Sequence, residues 1–472
     1  MMLWDPLNVW PKGRRWIWAA LAAMACLFQG PQFIRSLRPP GDVGGDFFQE
    51  WSSGRNYFCG APIYMDLKLA IERYLGFQIS ENGKQGVRVE LEVNAHPPTS
   101  VLVTLPLAML AYRDAVLVWN LVSLGALFTS FWIIGRELAI PFSAWSVFPL
   151  VVLLLICNPF RQQVLQGQLN LLLLLLLTAC WAAQRRNRPG WSGILLGIAT
   201  AIKLFPGFLF FYFVLRRQWK TLMAGIIALA VLTGLTVSIL GVETYKSYGM
   251  DVVPRVAVFR TNWVNASLPG LWTKLFVPDT EREHFHSFDM RIEPLWRSPA
   301  LARLGTWLSC SLVVTVLAWL VWRARSRVES DLAFGLTIIA MLLVSPITWD
   351  HYLLLLTIPL AVMWTRLPQS NLVRTLFLIT LIPIWMEYLP LFDALIPGGY
   401  KHGIAYPIHT ICLLSYQCYA LLMLFALIAA MSLPKSAPAP LRGEERSPQE
   451  YANTAQRRLN LEIAYNESSC GY

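Results

Sequence analysis

From residue 16 to residue 433 the chain keeps returning to long apolar runs, and no other feature limits its fold as severely. Hydrocarbon offers no partner for backbone N–H and C=O groups, so segments that cross a bilayer satisfy them internally, as helices or as a closed barrel. Runs of this length match helices, which rise about 1.5 Å per residue across a core about 30 Å thick. With 56% of residues hydrophobic, 14% charged and a mean hydropathy of +0.48, nothing remains for a soluble domain of ordinary size. The expectation is an all-α polytopic membrane protein.

A formal net charge of +11 would point a soluble chain toward nucleic acid. Here Lys and Arg gather in short connectors between apolar runs, where they report orientation and imply no nucleic-acid partner. The first run, Trp16 to Pro31, follows "PKGRR" like a signal peptide but lacks a small-residue cleavage site. It is read as a retained first span with a cytoplasmic N-terminus. Six of the eight cysteines lie in or beside apolar runs and no CxxC occurs, so no disulfide framework follows.

Threaded from that end, the chain exits near Arg35 into a long first extracytoplasmic loop over 35–96. "HPPTSVLVTLPLAML" (His96 to Leu110) is short and proline-rich, which suits a partly buried or interfacial helix. Ala115 to Ile134 runs inward to Arg136, Phe142 to Cys157 outward, "NPFRQQVLQGQLN" turns outside, and Leu171 to Ala183 returns to "QRRNR". Thr221 to Leu240 goes out, a second large extracytoplasmic loop covers 241–300, and Leu301 to Trp322 comes back. Two short helices flank "SPITWDHY", Leu372 to Leu389 goes out and Ile408 to Ser432 returns. The sum is about twelve crossings, a membrane domain over 1–433, and a cytoplasmic tail over 434–472 with the composition of a disordered segment.

"GWSGILLGIATAIKLFPGFLFFYFVLRR" (Gly190 to Arg217) holds Lys203 in the middle of an apolar stretch. Arg185, Arg186 and Arg188 precede it, and Arg216, Arg217 and Lys220 end it. Keeping both clusters inside requires the chain to go out and return, so two short helices are expected, with Lys203 at the outer apex and Pro206-Gly207 making the turn. One tilted helix of about 40 Å would also fit the length, but it would leave the later cluster "RARSR" outside.

On this threading, the polar residues that hydrocarbon rejects collect at one level: Asp46, Arg161, Gln166, Gln168, Asn170, Lys203, Asn262, Asn265, Asp350 and His351. Each has an ordinary use of its own. Lys203 can snorkel, Arg161 can anchor at the interface, Asn265 can cap a helix, and His351 can sit satisfied at a helix start. Their convergence from remote segments is what makes a site of them. One carboxylate among cations and amides suits a reaction on an anionic lipid, because Arg or Lys neutralises a phosphate and stabilises the charge that builds if it leaves. A carboxylate within reach takes the proton of an acceptor hydroxyl. Asp46, after a Gly-Gly turn and before aromatics, is the acid in such a setting.

"GGDFFQEWSSGRNYFCGAPIY", "LQGQLNLLLLLLL", "GILLGIATAIKLFPGFLF", "NASLPGL" and "SPITWDHYLLLL" occur in this order over about residues 40 to 370. Together they resemble membrane glycosyltransferase family 87, which includes polyprenol-phosphate-mannose-dependent mannosyltransferases of phosphatidylinositol mannoside assembly. The resemblance implies a GT-C-like fold, a polyprenyl-phosphate-linked sugar as donor, and inversion at the sugar carbon by direct displacement. It implies Asp46 as the catalytic base and Lys203, Arg161 and His351 at the donor phosphate. Gln166, Gln168, Asn170, Asn265 and Asp350 are assigned to substrate binding. The chain departs from the family pattern with Asp350-His351 in place of His-His and Thr348 in place of Ser.

"EREHFHSF" sets His284 and His286 among Glu281 and Glu283, but nothing completes a tetrahedral set. No metal site, cofactor or nucleotide motif is read, and the need for a divalent cation stays open. "NAS" at Asn265 and "NES" at Asn466 fit the glycosylation pattern, and the first is read as serving the site. The expected function is transfer of a hexose, mannose favoured, from a polyprenyl-monophosphate carrier to a lipid or glycan acceptor, at the extracytoplasmic side of a bacterial plasma membrane. Two rivals remain. A sugar-lipid transporter or flippase predicts related halves, which the sequence lacks; a non-catalytic cell-envelope subunit binds lipid and transfers nothing.

Overall fold

The computed structural model describes residues 12–38, 45–76, 93–140, 144–256, 259–260, 262–278, 290–368, 370–399 and 403–433, and the structural statements that follow concern these residues. The histidine pair at 284 and 286 and the tail from 434 lie outside them.

Helices dominate. α1 (Lys12–Leu37) leads to α2 (Phe47–Phe58), α3 (Leu67–Leu75) and α4 (Pro98–Thr104), the last continuing as a 3₁₀ turn to Met109. Then come α5 (Tyr112–Leu138), α6 (Val147–Ile156), α7 (Asn158–Gln166), α8 (Asn170–Arg185), α9 (Pro189–Ile202), α10 (Leu209–Leu215) and α11 (Trp219–Leu240). α12 (Val242–Ser247), α13 (Val253–Val256) and α14 (Leu268–Phe276) follow, then α15 (Pro299–Arg323), α16 (Arg327–Val344), a 3₁₀ segment Asp350–Leu356, and α17 (Thr357–Arg366). α18 (Asn371–Trp385), α19 (Leu389–Leu395), and helices Pro407–Cys412 and Tyr416–Met431 complete the chain.

Five stretches are long and apolar enough to span a bilayer: α1, α5, α11, α15 and Pro407–Met431. Counting the bent pairs α6–α7 and α18–α19 as one span each brings this to seven, so the molecule is an integral multi-pass membrane protein. The expected twelve crossings are not reached by long spans. The remaining apolar runs form shorter helices; α9, with 14 residues, is about 21 Å long against a core of about 30 Å. The α6–α7 pair bends by 69°, where extended Cys157 precedes Asn158-Pro159 and the proline opens the new helix. Pro383 and Pro390 flank the 85° bend between α18 and α19.

The break at Lys203 is a return. A Cβ on Gly193 would overlap Thr221 O, and one on Gly197 would overlap Gly225 O, so later residues of α9 face later residues of α11. The two helices therefore run parallel, and the chain must come back between them through 203–215, as the two short helices of the sequence reading require. Phe210 of α10 fills the space a side chain at Gly225 would take. Small residues bring these backbones close, the usual basis of helix packing in lipid.

At one end of the bundle the basic connectors converge. Glu137 accepts from Arg185 Nε at 3.1 Å and Arg186 Nε at 2.6 Å, with Arg327 Nη2 3.6 Å away. Arg185 also pairs with buried Asp331, which takes a bond from Trp181 Nε1 at 3.0 Å. Arg216 reaches Ala324 O and Ser330 Oγ. At the other end a second small core (Trp263, Met290, Ile292, Tyr388, Phe392, Ile396) sits beside a two-residue parallel pairing of Arg291–Ile292 with Ile404–Ala405. Beneath it the fully buried Lys274 donates to the carbonyls of Trp263 at 3.2 Å, Asn265 at 3.0 Å and Leu414 at 2.5 Å.

Candidate functional site

Asp46 is the N-cap of α2, and close backbone approach fixes where it stands. A Cβ on Gly45 would come within 2.9 Å of Gln166 O. Gly167 ends α7 at φ +65°, a left-handed conformation that glycine adopts freely, and a Cβ there would lie 2.7 Å from Phe47 Cβ. Trp119 of α5 donates to Gly167 O at 2.7 Å while its ring stacks on Phe47 at 5.5 Å. The start of α2 is thus clamped onto the "QGQLN" turn. There Gln168 Nε2 donates to Asp46 Oδ2, and Gln49 Nε2 donates to Oδ1 at 3.2 Å.

Lys203 leaves α9 in extended conformation with 2% of its surface exposed, so it points into the protein and does not snorkel. Its ammonium donates to Gln168 Oε1 at 2.8 Å and Asn170 Oδ1 at 3.4 Å, and lies 4.7 Å from the centre of the Tyr352 ring. Gln163 supports both partners: its Nε2 donates to Gln168 O, and its Oε1 accepts from Asn170 Nδ2 at 3.1 Å. Among the described residues no carboxylate lies within ion-pair distance of Lys203. Arg161 differs, because it pairs with Glu387 and donates to Asn158 Oδ1 at 3.3 Å.

Asp350 is buried, taking bonds on Oδ2 from Asn158 Nδ2 at 3.2 Å and Tyr388 OH at 3.1 Å, and on Oδ1 from His351 N at 2.7 Å. The His351 ring lies edge-on at 5.0 Å to Tyr352, the same ring whose centre Lys203 Nζ approaches to 4.7 Å. Its Nδ1 is 3.2 Å from Asp350 Oδ1 but out of hydrogen-bond alignment, and both ring nitrogens are buried without a hydrogen-bond partner. Gln166 Oε1 is in the same condition. Asn265 is the opposite case: Nδ2 donates to Arg260 O at 3.2 Å and Pro346 O at 2.9 Å, and Oδ1 accepts from Ser267 N at 3.1 Å and Thr348 N at 3.0 Å. An amide has two donors and two acceptor positions, so none is left for a substrate.

Sequence reasoning missed a group one turn along α2. Glu50, 2% exposed, pairs with His96 Nδ1 through Oε1 and accepts from Ser100 Oγ on Oε2 at 3.0 Å. Tyr64 OH donates to His96 O at 2.8 Å; burial first, and then the Glu50 charge, pushes this phenol far above its ordinary value. The available signal was spacing: Glu50 stands four residues after Asp46 in an aromatic helix, on the same face.

The model of glycosyltransferase family 87 matches residues 94–346, more than half of the sequence. The chain belongs to glycosyltransferase family 87. His96, Arg161, the "QGQLN" turn, Lys203 and Asn265 fall inside the matched region; Asp46 precedes it and Asp350-His351 follows it. A polyprenol-phosphate-mannose-dependent alpha-(1-2)-phosphatidylinositol pentamannoside mannosyltransferase of Mycobacterium tuberculosis is 27% identical over 271 residues, covering 54% of this chain and 55% of that one. A polyprenol-phosphate-mannose-dependent alpha-(1-2)-phosphatidylinositol mannoside mannosyltransferase of Mycolicibacterium smegmatis is 29% identical over 269 residues, covering 51% and 54%. The chain thus spans about half the length of these curated relatives. Among solved structures, apo ArnT from Cupriavidus metallidurans aligns over 89% of this chain and 77% of that chain at 15% identity and a TM-score of 0.31, an overlap too loose to carry an argument.

Proposed function

We propose that this family 87 protein is a membrane glycosyltransferase that moves a hexose, mannose favoured, from a polyprenyl-monophosphate carrier to a lipid or glycan acceptor, with inversion at the sugar carbon. The observation that carries this reading is the line Asp46–Gln168–Lys203, a partly buried carboxylate and a buried ammonium held at opposite ends of one amide. The donor and acceptor named for the relatives, polyprenol-phosphate-mannose and phosphatidylinositol mannosides, support the donor class and a lipid acceptor. A GT-C-like arrangement of the membrane domain over 1–433 belongs to the same reading.

In the reaction Asp46 takes the proton of the acceptor hydroxyl as its oxygen attacks the sugar carbon. The bond from that carbon to the carrier phosphate breaks, and its electron pair leaves with the phosphate. Lys203, which has no carboxylate partner among the described residues, stabilises that charge in a site where it counts for more than in water. The bare ring nitrogens of His351 face the same task, whereas Arg161 serves it only by exchanging Glu387 for substrate. Gln168 and Asn170 hold Lys203, Asp350 holds Asn158 and Tyr388, and Asn265 shapes the turn under the site. Gln166 keeps an oxygen free for a substrate hydroxyl. The basic connectors gather at the bundle end away from Asp46, which by the positive-inside rule supports an extracytoplasmic site in a bacterial plasma membrane.

The test is transfer by the full-length protein in detergent, from polyprenyl-phosphate-mannose to phosphatidylinositol mannoside. Asp46→Asn is expected to lower kcat about a thousandfold or more; unchanged turnover removes Asp46 from the mechanism. Because detergent abolishes any gradient, wild-type protein that binds the donor but transfers nothing speaks for the transporter or subunit readings.

A further inference from the structure

The side chains on either side of Asp46 are both glutamines, and neither amide is free to turn over. Gln49 Oε1 accepts from the Ala95 backbone N–H at 3.1 Å, and Gln168 Oε1 accepts from Lys203 Nζ at 2.8 Å. A backbone N–H and an ammonium can only donate, so each amide must present its oxygen to them and its NH₂ to Asp46. The carboxylate thus receives one donor on each oxygen, from opposite sides. Each oxygen keeps one lone pair, and those are what an acceptor hydroxyl can meet. On the Gln49 side the lock extends further. Asn94 Nδ2 donates to Gln49 O at 3.1 Å and to Ser53 Oγ at 3.1 Å, and its Oδ1 accepts from His96 N at 2.9 Å. The His96–Glu50 pair then ties this turn to α2.

We propose that Gln49 is a positioning residue for the reaction: its amide, oriented by Ala95, fixes the direction in which the Asp46 carboxylate meets the acceptor hydroxyl and favours its ionised form. This rests on Asp46 being the base. Among the described residues, the titratable groups around Asp46 are Glu50 with its partner His96, Tyr112 of α5, Lys203 at the end of α9, and Tyr352 of the 3₁₀ segment. Gln49→Met removes the donor at nearly constant volume, while Gln49→Glu sets a second carboxylate against the first. Both changes disfavour the charged form of Asp46.

The experiment reads Asp46 directly. The infrared carbonyl band of its protonated form is identified as the band lost in Asp46→Asn, and its pH midpoint is followed in full-length wild type, Gln49→Met and Gln49→Glu. The midpoint is expected to rise by about one unit or more in both variants, and the acid limb of the transfer rate to move with it while KM for polyprenyl-phosphate-mannose holds. An unmoved midpoint in a Gln49→Met protein that melts like wild type overturns the proposal. If Gln49→Met does not fold, the midpoint in the neutral Gln49→Leu decides in the same way, and Gln49→Glu, whose added charge raises the midpoint by itself, overturns the proposal only if the midpoint stays put. Full turnover in Asp46→Asn defeats the base reading alone, because the infrared midpoint still reports whether Gln49 and Asp46 are coupled.

Discussion

Lys203 and Asn265 are both buried polar residues flagged by sequence, and their hydrogen bonds divide them. Lys203 carries a charge with neutral partners, so Lys203→Met should lower kcat by about a hundredfold or more while the unfolding temperature in detergent stays level or rises, since a desolvated charge has been removed. A fall in stability matching the loss of activity would instead make Lys203 a structural residue. Asn265→Ala should do the reverse, leaving two N–H groups and two carbonyls unpaired at a cost of about 2 to 4 kcal/mol read by thermal unfolding. Lys203 was legible because a cation amid leucine and phenylalanine is an anomaly in any linear reading. Gln49, Glu50 and Gln163 were not, because in a polar-looking loop or turn they read as solvated, and only the docking of residues 94–96 and of the "QGQLN" turn buries them.

At the scale of elements, the parallel pair α9 and α11 delivers Lys203. Gly193→Ala forces a methyl into Thr221 O, and the displacement of α9 should cost about 2 kcal/mol or more and lower transfer together with stability. Gly190→Ala on the same helix meets nothing within 4 Å and should be neutral in both measurements. The two-helix return was readable from the basic clusters at either end of the run. The bends in α6–α7 and α18–α19 were not, since hydropathy registers an apolar run whether straight or broken. The count of twelve crossings met fewer long spans chiefly because other apolar runs, among them α8, α9 and α10, fold as helices too short to cross alone.

For the whole molecule, sidedness ties the site to the fold. Arg186 and Arg327 converge on Glu137 at one end of α5, while Trp119, nearer the other end, touches the Asp46 clamp. With Cys26, Cys412 and Cys470 replaced, the native exposed Cys59 should react with an impermeant thiol reagent from one side of the membrane. Cysteines introduced at 186 and 327 should react from the other side; labelling of all three from a single side would break the arrangement. The Lys203 ammonium also bears on the end of the cycle. A sugar phosphodiester brings one negative charge, whereas the monoester left after transfer carries up to two, so on the proposed reading Lys203 should grip the emptied carrier harder than the loaded one. Departure of polyprenyl phosphate should then pace turnover, visible as a rapid first round followed by a slower steady rate and as inhibition by added polyprenyl monophosphate; a time course linear from its first round would place the slow step elsewhere.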